Sequence, residues 1–359
     1  MMPSRVTHRD LRKLVRKLGV AARPGEQKMA ASAMADLCCD GTPESLAAIT
    51  AAGAIPELVR LLGPSYSDDV KGDAADALRS LARHVDAVVH LVQLLVPTSP
   101  ADMQYAAAEA VSYLAQNAQY VANVVAAGGI PMLVQLLGPG SSAGVQRYAV
   151  SALRSLAGDV AGGLQADNVA SIAAAGAVPL LVQLLRPGPL PEVQLCAAEV
   201  LCNLARNGEN VVSIAAAGPI PDLVRLMTPA VPAVLKEAAK AALALITGHP
   251  ANAVTTAAAL VQLLGAGSPA SVQLVAARQL MHFAAQRPEN VAIVVAAGAI
   301  PPLVKLRLEA SPVLSNAATQ AMQPLGARNA ENRAAVTAEI RSQTIPADMI
   351  RMMQELGFV

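Results

Sequence analysis

The phrase GAIPELVRLLG at residues 53–63 is written again, slightly altered, further along the chain. GGIPMLVQLLG stands at 128–138, GAVPLLVQLLR at 176–186, GPIPDLVRLMT at 218–228 and GAIPPLVKLRL at 298–308. A chain that repeats one phrase at intervals of tens of residues is an array of a single supersecondary unit. Each unit then buries its apolar face against its neighbours rather than in one central core.

The phrase predicts a corner between two helices. In AITAAGAIPELVRLLGP the residues before Gly53 are Ala-rich and favour helix. Gly53 can take the left-handed conformation that closes a helix. Ile55 precedes a proline and is biased away from helical angles, and Pro56 suits the first position of a new helix. Leu58, Val59, Leu61 and Leu62 then form one apolar stripe, and Gly63-Pro64 ends it.

A third helix follows. AADALRSLA (74–82) is echoed by AAEAVSYLA, AVSALRSLA, AAEVLCNLA and AARQLMHFA. Its small alanines let a neighbouring helix approach closely, while Leu78 and Leu81 point to the core. This is how a chain with 54% apolar but only 2% aromatic residues, and no Trp, can still build a large core.

The LVxLL core starts at Leu58, Leu91, Leu133, Leu181, Leu223, Leu260 and Leu303, a mean period of roughly 41 residues. Three-helix units of this length with a Gly-x-x-Pro corner resemble the armadillo-repeat family. The flavour is similar to the vacuole-fusion scaffold and the plant U-box armadillo groups. The resemblance implies an all-α fold: a right-handed superhelical solenoid of about seven repeats with partial capping units at both ends.

The irregular steps predict local defects. The steps to Leu91 and Leu260 are short, so both units have lost the Gly-Pro corner, and the first has lost most of its first helix as well. The long step to Leu181 puts a loop in GDVAGGLQADN, 158–168.

The expected organisation is a basic capping half-repeat over 1–25, a solenoid over 26–329 and capping helices over 330–359. In LRKLVRKLG the residues Leu11, Leu14, Val15 and Leu18 are apolar, with Arg12, Lys13, Arg16 and Lys17 outward. At the other end Met349, Met352, Met353 and Leu356 share a helical face.

Charge is uneven. Residues 1–30 hold eight Lys/Arg and two Asp/Glu, a local net of +6 in a chain whose total is +1. The small total argues against general nucleic-acid binding. The basic start has three readings: a terminal cap with a solvated face, a membrane-surface or partner-binding helix, or a transit peptide. Asp10 and the half-repeat phase favour the cap. The most apolar stretches are cut by Gly-x-Pro short of the ~20 residues that span a bilayer.

Nothing in the sequence assembles into a catalytic constellation. GSSAG at 140–144 fits the GxSxG of hydrolase nucleophile elbows, but that elbow needs a strand before the serine and here a helical stripe precedes it. No phosphate-binding loop is present. The five His lie far apart, and Cys38, Cys39, Cys196 and Cys202 form neither a CxxC pair nor a disulfide framework. No enzyme, metal or cofactor is expected.

The armadillo resemblance places function on the third helices, which line a concave groove in that family. Asn203, in AAEVLCNLA, matches the Asn with which peptide-gripping armadillo proteins hold an extended backbone. The other repeats have Asp36, Ser80, Tyr113, Ser155, Ala244, His282 and Pro324 there. The Asn ladder and the Trp array of nuclear-import adaptors are thus missing. The expected groove further displays Asp76, Arg79, Glu109, Arg154, Glu199, Arg206, Lys240 and Arg278. Tyr113 is the preferred anchor. The expected function is a protein-interaction scaffold, cytoplasmic and in part nuclear or peripheral at a membrane, that takes an extended peptide of a partner protein. The alternatives are the substrate-recognition part of a ubiquitin ligase assembly, with catalysis in another subunit, and a nuclear-import adaptor.

Overall fold

The computed structural model describes residues 7–39, 41–63, 65–82, 85–158 and 165–327, together with residue 351. Among these residues there are twenty-one α-helices, one 3-10 turn and no β-strand. The chain divides into two compact units, residues 1–180 and 181–359.

The first unit opens with a helix pair, α1 (His8–Leu18) and α2 (Pro24–Cys39). A three-helix repeat follows: α3 (Pro43–Ala51), α4 (Ala54–Leu61) and α5 (Asp68–Leu81). The next repeat has two helices, α6 (Val85–Gln93) and α7 (Ala101–Ala115). Then come α8 (Ala118–Ala126), α9 (Gly129–Gln135), α10 (Ala143–Ala157) and α11 (Ala166–Ala174). The division falls inside α12 (Ala177–Leu185).

The second unit continues with α13 (Pro191–Ala205) and the repeat α14 (Gly208–Ala216), α15 (Ile220–Leu226), α16 (Ala233–Gly248). A 3-10 turn (Pro250–Asn252) leads into α17 (Ala253–Leu263) and α18 (Ala270–Gln286). The last repeat is α19 (Pro288–Ala296), α20 (Ile300–Glu309) and α21 (Pro312–Ala327).

Both shortened units lack the corner, as their spacing predicts, but the second has also lost its first helix, which the spacing does not predict. The step to Leu91 yields a two-helix repeat, and the step to Leu260 replaces a first helix with the 3-10 turn. The loop expected over 158–168 is cut short, because α11 starts at Ala166 and Asn168 is buried within it. Residues 159–164 of that loop lie outside the described residues, and so does the expected cap over 330–359 apart from residue 351.

The corner glycines do what only glycine does cheaply. Gly53, Gly128, Gly176, Gly218 and Gly298 all have φ between 76° and 80°, and no other residue type among those described has positive φ. At the last corner the helices on either side diverge by 83°. The proline sits deeper than its sequence suggests: α4 begins at Ala54, so Pro56 is its third residue and Ile55 is helical. The helix loses nothing, because its first four N–H groups have no intrahelical acceptor. Ile55 is 1% exposed, and this burial outweighs the bias of a residue that precedes proline.

Two sets of side-chain amides tie the repeats together. Gln104, Gln146, Gln194 and Gln273, at equivalent positions of third helices, donate from Nε2 to the last carbonyls of the preceding second helix. The acceptors are Leu95 and Val96, Leu137 and Gly138, Leu185 and Arg186, and Leu264 and Gly265. Gln27 does the same for Gly19 at 2.8 Å. In parallel, Asn123, Asn168, Asn210, Asn252 and Asn290 donate to carbonyls at the C-terminal ends of third helices. Helix ends leave carbonyls without partners, and these buried and half-buried amides satisfy them.

Candidate functional site

In the first unit the third-helix class comprises α2, α5, α7 and α10. The sequence places Ala74, Ala107 and Ala149 at equivalent points along three of them, and all three are fully buried. α2 packs along α5, and α7 along α10, while α5 and α7 touch only weakly. This parting coincides with the repeat that has lost its first helix.

The parting opens a cleft of about 260 Å³. Leu62, Ala75, Leu78, Ala110 and Leu114 supply apolar lining, and Lys71, Gly72, Arg79, Glu109 and Tyr113 complete it. Small-molecule pockets run from about 300 to 1,000 Å³, so this cleft suits one or two side chains of a larger partner.

Tyr113 is 53% exposed and is the one aromatic among the exposed large apolar side chains of the described residues. The Arg79 guanidinium lies 5.4 Å from the centre of its ring, a cation–π contact, and Nη2 lies 2.6 Å from Asp76 Oδ1. Arg79 Nε is buried and has no hydrogen-bond partner among the described residues.

Glu109 is fixed from the other side. Tyr148 donates its hydroxyl to Glu109 Oε1 at 2.5 Å. The Tyr105 and Tyr148 rings meet edge to face, with centres 5.3 Å apart and planes at 79°, and the Arg147 guanidinium lies 4.5 Å from the Tyr148 ring centre. Burial pushes the Tyr148 phenol well above its ordinary range, and the Glu109 carboxylate adds to the rise. The phenol therefore stays protonated and remains a donor.

Of the sequence-predicted residues, the structure gathers Asp76, Arg79, Glu109 and Tyr113 at this cleft or its edge. Arg154 is half-buried on α10. In the second unit Glu199 and Asn203 are half-buried on α13, and Arg206 is exposed at its end. Lys240 is exposed on α16, with Nζ 3.8 Å from Glu237 Oε2, and Arg278 and His282 are exposed on α18. Sequence reasoning missed Tyr105, Arg147 and Tyr148. One signal was available: all five tyrosines of the chain fall between residues 66 and 148.

The serine of GSSAG has a structural task. Ser142 is the N-cap of α10, and its Oγ accepts from the Val145 N–H at 3.4 Å. Gly144 makes room for an aromatic ring, since a Cβ there would stand 2.6 Å from Tyr105 Cε2. Gly144→Ala should therefore turn Tyr105 away from Tyr148. The chain has no Trp, so near-ultraviolet circular dichroism reports the tyrosines directly. That band should change while stability shifts by no more than ~1 kcal/mol, because the helix gains a better former.

The thiols are not poised for chemistry. Burial pushes Cys38 up to about 12 and also raises Cys202, which disfavours the reactive thiolate. Among the described residues no group of three His, Cys, Asp or Glu side chains is placed to hold a metal ion.

Comparison with known proteins agrees with this architecture. The family model for the Armadillo/beta-catenin-like repeat matches residues 42–83 and 117–158, that is α3–α5 and α8–α10 with their flanks. The chain belongs to the armadillo-repeat family. No curated protein sequence matches it. Among solved structures, an engineered protein from the Northeast Structural Genomics Consortium is 28% identical over 97% of this chain and 92% of its own, with a TM-score of 0.50. A second engineered protein from the same consortium is 31% identical over 67% of this chain and 97% of its own, with a TM-score of 0.46. A designed armadillo repeat protein in complex with the peptide (KR)4 is 25% identical over 66% of this chain and 99% of its own, with a TM-score of 0.44. Among the described residues of this armadillo protein, no single helix is long and apolar enough to cross a membrane.

Proposed function

We propose that the protein is a non-catalytic scaffold that holds an extended segment of a partner protein along the third helices of its first unit, with the α5–α7 cleft as the anchoring point. The observation that carries this reading is Tyr113. A half-exposed aromatic, stacked under an arginine and standing over an apolar cleft, has the makeup of an interface anchor. One apolar side chain of the partner enters the cleft. Arg79, Lys71 and Glu109 then engage the polar groups on either side of it. The second unit, taken by itself, offers Asn203, whose amide can pair with both an N–H and a C=O of an extended chain.

The test starts from a partner captured by pull-down and identified by mass spectrometry, then reduced to its shortest binding peptide. Titration calorimetry should show Tyr113→Ala weakening a peptide that binds the first unit by about 1–2 kcal/mol, and Asn203→Ala doing the same for a peptide that binds the second, with the fold unchanged. A control substitution at exposed Val212, on a first helix, should have no effect. If the Tyr113 variant binds as tightly as the wild type, the α5–α7 anchor is wrong.

A further inference from the structure

The opening helix has a second face that folding does not use. Arg9, Arg12, Lys13, Arg16 and Lys17 are all exposed on the eleven residues of α1. Their spacing of three and four sets them along one outward stripe, opposite buried Leu11 and Leu18. Neighbouring cations on such a stripe repel one another.

Elsewhere several helical cations are paired within their own helix. Five follow an acid three residues earlier and bind it: Glu57–Arg60, Asp68–Lys71, Asp76–Arg79, Asp222–Arg225 and Glu237–Lys240 are ion pairs. On α1 the single acid, Asp10, is taken up in a capping box with Thr7, whose backbone N–H it accepts at 3.1 Å. None of the five cations has an ion-pair partner among the described residues.

Two apolar side chains of this opening helix pair and its connection are also unusual. Val20 directly follows the helix and is 77% exposed, and Met29 on the adjoining α2 is 76% exposed. They are the two most exposed large apolar side chains of the described residues.

We infer that the outward face of α1, with Val20 and Met29, docks the protein on an anionic phospholipid surface. A cationic stripe beside protruding apolar side chains matches a bilayer interface, where headgroups neutralise the charge and the acyl boundary takes the apolar groups. A nucleic acid would use the cations and leave Val20 and Met29 in water. None of these residues lines the α5–α7 cleft.

The experiment uses the full chain and sedimentation with two kinds of vesicle, phosphatidylcholine alone and phosphatidylcholine with about one-third phosphatidylserine. Binding is expected to the mixed vesicles only, and to fall as salt rises. Replacing Arg12, Lys13, Arg16 and Lys17 together by Gln should weaken it more than ~100-fold, since each cation near such a surface contributes roughly 5-fold. All four are exposed, so melting should be unchanged. Val20→Ser with Met29→Ser should weaken vesicle binding several-fold at every salt concentration. The proposal is overturned if the wild type does not sediment with the mixed vesicles. It is equally overturned if the Ser variant binds like wild type while an RNA duplex competes fully for the stripe, an outcome that would assign the face to nucleic acid.

Discussion

Asn252→Ala is expected to destabilise the second unit by about 2–3 kcal/mol. The side chain is 2% exposed, and Nδ2 donates to the Ile246 carbonyl at 2.8 Å and the Val211 carbonyl at 3.2 Å. It stands in the 3-10 turn that replaces a first helix, so it joins the end of α16 to α14 where the repeat has least structure of its own. Alanine removes both bonds and leaves the Ile246 carbonyl near the end of α16 without this donor, while the tie to the Val211 carbonyl of α14 is lost, and water has little room to replace the amide. Asn252→Asp should be worse, because a carboxylate oxygen would face two carbonyl oxygens in a site that penalises charge. Denaturant unfolding should rank the proteins wild type, Ala, Asp, and hydrogen exchange should locate the loss in α14–α17. An Asp variant as stable as wild type would show that the amide is not the link between these helices.

This tie was invisible in the sequence for a physical reason. A buried Asn or Gln reads locally as a polar residue on a helix, and its partners lie six to forty-one residues away. Only the packing of one repeat on the next decides which carbonyls come within reach. The corners were legible because glycine at positive φ and proline near a helix start act within a few residues. The position of Pro56 was misjudged by two residues, since burial of Ile55 decided where the helix starts. At the site, Arg79, Glu109 and Tyr113 could be read from their place in the repeat. Tyr105 and Tyr148 could not, because their contact depends on the space left by Gly144. The cleft was unreadable for a related reason. The shortened step to Leu91 marks a defect, but where α5 and α7 part is a matter of packing.

Removing residues 1–20 is expected to have the largest effect of all. Leu11 is 5% exposed and Leu18 fully buried, and α1 rests on α2 and α4. Burying two leucines is worth about 3–6 kcal/mol, and the deletion loses that while uncovering the apolar faces beneath. It also takes away the acceptors of two donors, one buried and one half-buried: Gln27 Nε2 donates to the Gly19 carbonyl at 2.8 Å, and Arg60 donates to the Leu18 carbonyl. The end of a stacked array has no neighbour to replace such a cover, so the truncated protein should melt early and scatter light. The cap and the basic stripe occupy opposite faces of one helix, which makes their roles separable. Neutralising the four outward cations should leave melting intact, whereas the truncation should abolish it as a single cooperative step in the first unit. A truncated protein that stays monomeric and melts like the parent would mean that α2 and α4 close the end by themselves, and that α1 is kept for its charged face alone.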